Sequence, residues 1–245
     1  MRRFALIIGS PGEPADNSIY AGVESDTKNF IKFLMSPSGG GWHRQNEILH
    51  LKNPDKTKVK AIIEKLNFDY TLIYFSGHGR HSTQTNESYL VLNTNDEISA
   101  KELISSSSKQ LIISDICRVP SDDEVFSNFV TEDVEFPSAL NITSSRSLFD
   151  AHLRNCENGI GFIYSCSVGE KSLALPYGSF YTLSLLNSSQ DWTTNIDKYN
   201  VLPIEVAFSN SINYYDRSFS HRNLQTPRSN GILQFPFAIK LNQIL

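Results

Sequence analysis

Short apolar runs alternate with helix-length amphipathic segments along this chain, and this alternation limits the possible folds more than any other feature. Five runs predict strands of a sheet: residues 3–9, 46–51, 69–77, 109–117 and 158–167. Apolar residues at helical spacing predict helices over residues 25–35, 53–67, 99–107, 178–189 and 201–215. Residues 88–93 form a short extended piece, and residues 232–241 form a last strand. The alternation predicts an α/β fold, a parallel sheet with helices on both faces.

Length and charge limit the possible partners. The 245 residues contain no internal repeat or dividing linker, so we expect one domain over residues 1–245. A net charge of -4 without a basic run argues against nucleic acid as the main partner. After the two arginines only five apolar residues run up to Gly9, too few for a secretory signal, and no apolar stretch approaches the about twenty residues that span a bilayer. Three cysteines at spacings unlike a disulfide framework favour a reducing cytoplasm.

One long segment departs from the alternating pattern. Residues 119–145 contain six acidic residues and no Lys or Arg. Twenty-seven residues without a regular pattern are unusual in a compact domain, where such loops are functional or disordered. A solvated surface excursion is the alternative interpretation.

A histidine and a cysteine follow two long predicted strands. His78 lies in "YFSGHGR" (74–80), and Cys117 lies in "SDICR" (114–118). Ligand sites of open parallel sheets form outside the carboxyl ends of the strands, and neighbouring strands lie about 4.8 Å apart. A thiolate and an imidazole placed there can perform nucleophilic catalysis. Alone, the cysteine would indicate a buried apolar position and the Gly-His-Gly motif a turn.

Other polar residues near these motifs have simpler interpretations. His81 lacks a third ligand that would complete a metal site with His78, so we expect a surface histidine and no metal. Cys166 lies in the next predicted strand and is expected in the core. Ser25 or Asp26 is expected to cap the helix over 25–35.

The segments "LIYFSGHGR" (72–80) and "LIISDICR" (111–118) together resemble the caspase-like cysteine peptidases, the clan of caspases, metacaspases and bacterial relatives. Residues 159–186 and 225–239 extend the resemblance over nearly the whole chain, as in a bacterial single-domain member. The resemblance implies a three-layer fold whose six-stranded sheet has the order 2-1-3-4-5-6, with the last strand antiparallel. It also implies Cys117 as nucleophile, His78 as proton-transfer group, and the N–H groups of Gly79 and Cys117 as the oxyanion hole.

The chain departs from animal caspases at the nucleophile. It has "SDICRV" where they have Gln-Ala-Cys-Arg-Gly, and the separation of the two motifs is shorter than their usual spacing of about fifty residues. An aspartate two residues before the cysteine resembles the metacaspase and bacterial pattern, where it lines an acidic S1 pocket for the P1 side chain. The candidate S1 residues are Asp115, Glu13, Asp16 and Glu170. They imply cleavage after Arg or Lys, unless Asp115 only orders the loop.

These motifs predict a cysteine endopeptidase that acts on proteins or peptides through a thioester acyl-enzyme, without a cofactor. By analogy with caspases, residues 119–145 resemble an activation linker of a zymogen, and Arg146 is a candidate processing site. We therefore expect an activating protease or regulatory partner. The resemblance suggests a cytoplasmic stress or antiviral defence pathway. Two alternatives stay open: a catalytically silent scaffold with this fold, and a flavodoxin-like binding module.

Overall fold

The computed structural model describes residues 1–12, 21–119, 142–175, 177–194, 200–218 and 225–240. In chain order the strands are β1 (Arg3–Ser10), β2 (Ile48–Lys52), β3 (Tyr70–Gly77), β4 (Gly79–Ser82), β5 (Glu87–Val91), β6 (Glu97–Ser99), β7 (Lys109–Asp115), β8 (Gly159–Tyr164), β9 (Ala174–Leu175), β10 (Gly178–Ser179), β11 (Val201–Pro203), β12 (Arg228–Gly231) and β13 (Pro236–Ile239). The α-helices are α1 (Ala21–Met35), α2 (Arg44–Glu47), α3 (Lys56–Ile63), α4 (Ile142–Asn155), α5 (Phe180–Thr194) and α6 (Ile204–Ser218), and a 3₁₀ helix spans Ala100–Leu103.

Six strands form the central sheet in the order β2-β1-β3-β7-β8-β12. The first five strands of this order are parallel to one another, and the sixth, β12, is antiparallel to β8. Counted along the chain, these strands have the order 2-1-3-4-5-6. The structure therefore confirms the predicted mixed α/β fold, its strand order and its antiparallel last strand.

The side chains of β1 alternate between two apolar clusters, one on each face of the sheet. Ala5 and Ile7 pack in a cluster that receives residues of α1, α4, α5 and α6. Leu6 and Ile8 pack in a cluster that receives residues of α3 and the 3₁₀ helix. Alternate residues of a strand point to opposite faces, so a central strand must be apolar throughout. Helices therefore cover both faces, as the continuous runs predicted.

The prediction for the last strand was wrong in its position. The sixth strand of the central sheet is β12, whereas residues 236–239 form β13, which pairs with β11 in a separate two-stranded sheet. The four residues of β12 are all exposed, because this strand lies at the edge of the sheet. An exposed edge strand needs no apolar run, so "RSNG" carried no signal.

Two other predicted elements differ from the observed ones. The helix predicted over 99–107 is reduced to the four-residue 3₁₀ helix, with Ser99 and Glu102 forming a capping box at its start. Residues 88–93 contribute to β5, the middle strand of a small antiparallel sheet with β4 and β6. This small sheet begins directly after His78 and therefore borders the candidate site.

The predicted linker ends earlier than the sequence indicated. Residues 120–141 lie outside the described residues, and residues 142–145 form the first turn of α4. The sequence analysis did not predict this helix. Ser145, Phe149 and Leu153 are buried at helical spacing, so the packing of one face selects the helix despite its serine-rich start.

A cluster of four charged side chains joins α4 to the amino end of the sheet. Arg3 is 1% exposed and lies between Glu47 (Nε to Oε1 3.6 Å) and Asp150 (Nη1 to Oδ1 3.3 Å). Arg146 of α4 donates to Glu47 (Nη1 to Oε2 2.7 Å). The guanidinium of Arg3 also lies 4.4 Å from the centre of the Trp42 ring. Two positive charges therefore face two negative charges in this cluster.

No helix in the described part of the chain is both long and apolar enough to cross a membrane.

Candidate active site

Strands β3 and β7 bring His78 and Cys117 to the same edge of the sheet. The two strands are adjacent and parallel, and their register pairs Ser76 with Asp115. His78 follows Ser76 by two residues, and Cys117 follows Asp115 by two residues. Because neighbouring strands lie about 4.8 Å apart, the register places both residues at equivalent positions beyond the carboxyl ends. The histidine and the thiol thus lie beyond the ends of adjacent strands, at the same edge of the sheet.

The glycine after His78 lies directly against the residue before Cys117. A Cβ atom at Gly79 would lie 2.6 Å from Cβ of Ile116 and 2.9 Å from the carbonyl oxygen of Tyr89. Cβ contacts this short do not occur in relaxed structures, so the position requires glycine. This close approach joins the two motifs physically, and it explains the bare backbone beside the histidine.

Hydrogen bonds fasten the chain around Cys117 to the segment that follows β8. The backbone N–H of Arg118 donates to the Glu170 carbonyl (2.9 Å), and the N–H of Gly169 donates to the Arg118 carbonyl (2.9 Å). The buried Arg118 guanidinium donates to the Ser88 hydroxyl (2.9 Å) and the Cys166 carbonyl (3.1 Å). These contacts hold the backbone directly after the thiol, a role of Arg118 that sequence analysis missed.

The Asp115 carboxylate is 3% exposed and is surrounded by hydroxyl groups. Ser172 donates to Oδ1 (2.7 Å), and Ser179 and Thr182 donate to Oδ2, the latter over 2.7 Å. The N–H of Thr182 also donates to Oδ2 (3.2 Å), so the carboxylate lies at the positive end of α5. The Ser172 carbonyl is 3.8 Å from Sγ of Cys117, and Ser172 therefore contacts both the thiol and Asp115.

A second buried carboxylate, Asp26 of α1, belongs to the same hydrogen-bond network. It is 1% exposed, and it accepts hydrogen bonds from the Ser76 hydroxyl (2.8 Å) and the Ser179 N–H (2.7 Å). Burial and then the charge of Asp115 raise the pKa of Asp26 to about 8, although its two donors oppose the rise. We call Asp26 and Asp115 the carboxylate pair. At neutral pH this pair holds a proton that an incoming cation could displace.

The structure corrects the interpretation of Asp26 as a helix cap. Helix α1 begins at Ala21, so Asp26 lies in its second turn. It faces the same side as Phe30, four residues later, whose side chain is fully buried. A carboxylate on the apolar face of a predicted helix was the available signal for this residue.

Of the other predicted S1 residues, the structure describes Glu170 alone. Glu13 and Asp16 lie outside the described residues. The Glu170 carboxylate accepts hydrogen bonds from the N–H of Ser167 (3.0 Å) and from the N–H and hydroxyl of Thr226 (2.6 and 3.0 Å). In this structure the Glu170 carboxylate therefore closes a loop, and its role in an S1 pocket stays a prediction.

Cys166 and His81, which lie in the same region, are both buried. Cys166 is fully buried, as expected, and burial raises the pKa of its thiol. His81 is 5% exposed and its Nδ1 lies 3.2 Å from the Ser88 hydroxyl, so the expectation of a surface histidine was wrong. No group of three His, Cys, Asp or Glu side chains that could hold a metal ion occurs among the described residues.

Arg146 lies inside α4, with its guanidinium on Glu47, and not in an extended loop. Proteases bind their substrates in extended conformations, so cleavage after Arg146 would require the first turns of α4 to unwind. Arg146 therefore stays a candidate processing site only for a chain in which this part of α4 has unwound.

Solved structures with the same fold include caspases. Caspase-1 from Spodoptera frugiperda superposes with a TM-score of 0.61 at 13% identity, over 99% of this chain and 92% of that one. A structural genomics protein from Geobacter sulfurreducens superposes with a TM-score of 0.55 at 14% identity, over 98% of this chain and all of that one. No protein-family model and no curated protein sequence matches the chain. The chain has a caspase-like fold, and the likeness extends to the fold alone.

Proposed function

We propose that this protein is a cysteine endopeptidase of the caspase-like, bacterial single-domain type, with one catalytic domain over residues 1–245. The observation that carries the proposal is the register of β3 and β7, which gives His78 and Cys117 equivalent positions at adjacent strand ends. The contact of Gly79 with Ile116 supports it, because this contact joins the two motifs. A flavodoxin-like module is disfavoured, since that fold has an all-parallel order 2-1-3-4-5 without an antiparallel sixth strand.

In this mechanism the Cys117 thiolate attacks the carbonyl carbon of the scissile peptide bond. The N–H groups of Gly79 and Cys117 stabilise the resulting oxyanion. The C–N bond then breaks, and His78 gives a proton to the leaving amine, which leaves a thioester on Cys117. Water attacks the thioester, His78 removes a proton from that water, and the C–S bond breaks to release the carboxylic acid product.

The carboxylate pair supports specificity for Arg or Lys at P1. Ionising both buried acids is unfavourable because their charges would repel each other, and a guanidinium or ammonium group between them would relieve this repulsion as the shared proton leaves. Ser172 contacts both Asp115 and the nucleophile Cys117. A peptide whose P1 side chain is bound at Asp115 would therefore have its scissile carbonyl near Cys117. Asp26 supplies the second carboxylate, while Glu13, Asp16 and Glu170 stay predictions.

The direct test is a panel of fluorogenic peptides with Arg, Lys or Asp at P1. We expect cleavage of the Arg and Lys peptides, loss of all cleavage in Cys117→Ala, and unchanged cleavage in the matched control Cys156→Ala. Asp115→Asn should lower kcat/KM for the P1-Arg peptide by about 10²-fold or more, because it leaves a buried cation with one partner fewer. Faster cleavage of the P1-Asp peptide would overturn the proposed specificity.

Control of this activity is part of the same proposal. We infer that the acidic segment 119–145 restrains the enzyme until an activating protease or regulatory partner acts, as in a cytoplasmic stress or antiviral defence system. If the intact chain cleaves no peptide, the segment before α4 should be cut with an added protease and the panel repeated. Activity after this cut would establish a zymogen, whereas continued inactivity would favour the catalytically silent scaffold.

A further inference from the structure

A cavity of about 480 Å³ opens between helix α1 and the edge strand β2. Its apolar part is formed by Pro11, Val23 and Ile31. Ile48 of β2 packs in the apolar cluster on the α1 face of the sheet, so His50 and Lys52 project to the same face by strand alternation. Because β2 is the last strand on this side of the sheet, the space beside α1 stays open.

The polar part of the cavity is strongly basic. It is lined by Lys28 and Lys32 of α1, Arg44 of α2, and His50 and Lys52 of β2. One acidic residue, Glu24, also lines it, and Glu24 pairs with Lys52. Among the described residues no carboxylate forms a salt bridge with Lys28, Lys32 or Arg44. This accumulation of positive charge occurs in a chain whose net charge is -4.

We propose that this cavity binds a small organic phosphate, with the phosphate on Lys28, Lys32 and Arg44 and the organic body on Val23 and Ile31. Its volume lies in the range of about 300–1,000 Å³ that holds small ligands, and is sufficient for a mononucleotide. Lysine binds phosphate as a point charge, and arginine can bind it with two parallel N–H bonds. The apolar lining by Pro11, Val23 and Ile31, which we call the apolar floor, should make an organic phosphate bind more tightly than inorganic phosphate.

The position of the cavity connects it with the proposed peptidase site. Helix α1 lines the cavity with Val23 and Lys28, and it carries Asp26 of the carboxylate pair between them. Gly9 of β1 also lines the cavity. It pairs in register with Ser76 of β3, whose hydroxyl donates to Asp26. A ligand that shifts α1 would therefore act on Asp26. The binding proposal itself needs no peptidase activity, so either proposal can fail without the other.

Calorimetric titration of the full chain with adenosine 5′-monophosphate, inorganic phosphate and decanoate tests this binding site. We expect adenosine monophosphate to bind most tightly, and the double variant Lys28→Glu/Lys32→Glu to weaken it by about tenfold or more. Both lysines are exposed, so the fold should tolerate the change. The matched control Lys58→Glu/Lys65→Glu makes the same charge change at exposed positions beside α3, on the other face of the sheet, and should leave the affinity unchanged.

A third variant tests the apolar floor. Ile31→Ser should weaken adenosine monophosphate and leave inorganic phosphate unaffected. The proposal is overturned if adenosine monophosphate does not bind, or if the reversal of Lys28 and Lys32 leaves its affinity unchanged. If inorganic phosphate binds as tightly as adenosine monophosphate, the apolar floor has no role in binding. If only decanoate binds, the cavity takes an organic carboxylate, and the proposed phosphate ligand is wrong.

Discussion

Buried charges lie at both ends of the central sheet, and the two clusters differ in their balance. At the amino end Arg3 and Arg146 face Glu47 and Asp150, so the positive and negative charges are equal in number. At the carboxyl end the carboxylate pair, Asp26 and Asp115, is held by hydroxyl and N–H donors. In the first cluster each charge faces an opposite charge, whereas the donors around the carboxylate pair are neutral groups.

The pKa values of the acids shift in opposite directions in the two clusters. Burial alone would raise the pKa of Glu47, but hydrogen bonds from Arg146 and the His43 N–H and the charge of Arg3 bring it below its usual value. The pKa of Asp26 is instead raised to about 8 by burial and by Asp115. Removing one member of a balanced buried cluster is strongly destabilising, whereas acids with raised pKa values are common at functional sites. The raised pKa of Asp26 therefore supports a functional role for the carboxyl end.

The largest expected effect is at the balanced cluster. Arg3→Met removes the cation between Glu47 and Asp150 and leaves Asp150 buried without it. We expect the free energy of unfolding to fall by about 3–5 kcal/mol, measured by urea denaturation with an unchanged m-value. Peptidase activity per folded molecule should be unaffected, because the cluster lies at the opposite end of the sheet.

The double variant Arg3→Met/Asp150→Leu provides the control. It removes the stranded charge and leaves the Glu47–Arg146 pair intact, so it should recover part of the lost stability. If the double variant is as unstable as the sum of the two single variants, Arg3 acts through its packing on Trp42 and Phe149, and the charge balance is irrelevant.

The sequence predicted the parts of the fold and site that depend on local pattern. The strands around Ile7, Ile73 and Ile113 are continuous apolar runs, and each run predicted a buried strand. Their alternation with helices implied that the strands are parallel, and hence that His78 and Cys117 share an edge. The Asp115 position followed from its place two residues before the cysteine.

The parts that the sequence did not predict depend on contacts distant in the chain. Asp26 reaches Ser76 across 50 residues and Ser179 across 153 residues, so no local pattern joins them. Helix α4 is selected by the packing of Phe149 and Leu153 against the core, and not by helix-forming residues at its start. The edge strand β12 is exposed, and its polar sequence resembles a loop.

The second prediction tests the like-charged pair through its pH dependence. Because the folded pKa of Asp26 is raised from 3.8 to about 8, the folded chain keeps a proton that the unfolded chain loses above about pH 4. The Asp26 contribution therefore lowers stability as pH rises from about 4 to about 8, and it is constant above that range. Asp26→Asn should remove this slope and raise the free energy of unfolding at pH 8 by about 2 kcal/mol.

Glu47→Gln is the matched control for Asp26→Asn, because it should change the free energy of unfolding in the opposite direction. The lowered pKa of Glu47 contributes stability above about pH 4.5 that is lost as pH falls, so Glu47→Gln should destabilise the protein at neutral pH. A gain of stability in Asp26→Asn together with a lower kcat/KM for the P1-Arg peptide would support a binding role. Equal pH slopes in the wild type and Asp26→Asn would show that the pKa of Asp26 is not raised in the folded chain.

The smallest effect is expected from the hydroxyl donors around Asp115. Thr182→Val keeps the shape of the side chain but removes the hydroxyl that donates to Asp115 and lies 2.7 Å from the Tyr74 hydroxyl. We expect a loss of about 1–2 kcal/mol in stability and a raised KM for the P1-Arg peptide, since Asp115 loses one donor that fixes its position. The matched control is Ser184→Ala on the same helix, because the buried Ser184 hydroxyl has no hydrogen-bond partner in the described part of the chain. This control should change stability by less than about 0.5 kcal/mol. If both variants lose the same stability, the hydroxyl network contributes only packing, and the distinction between the two ends of the sheet rests on charge alone.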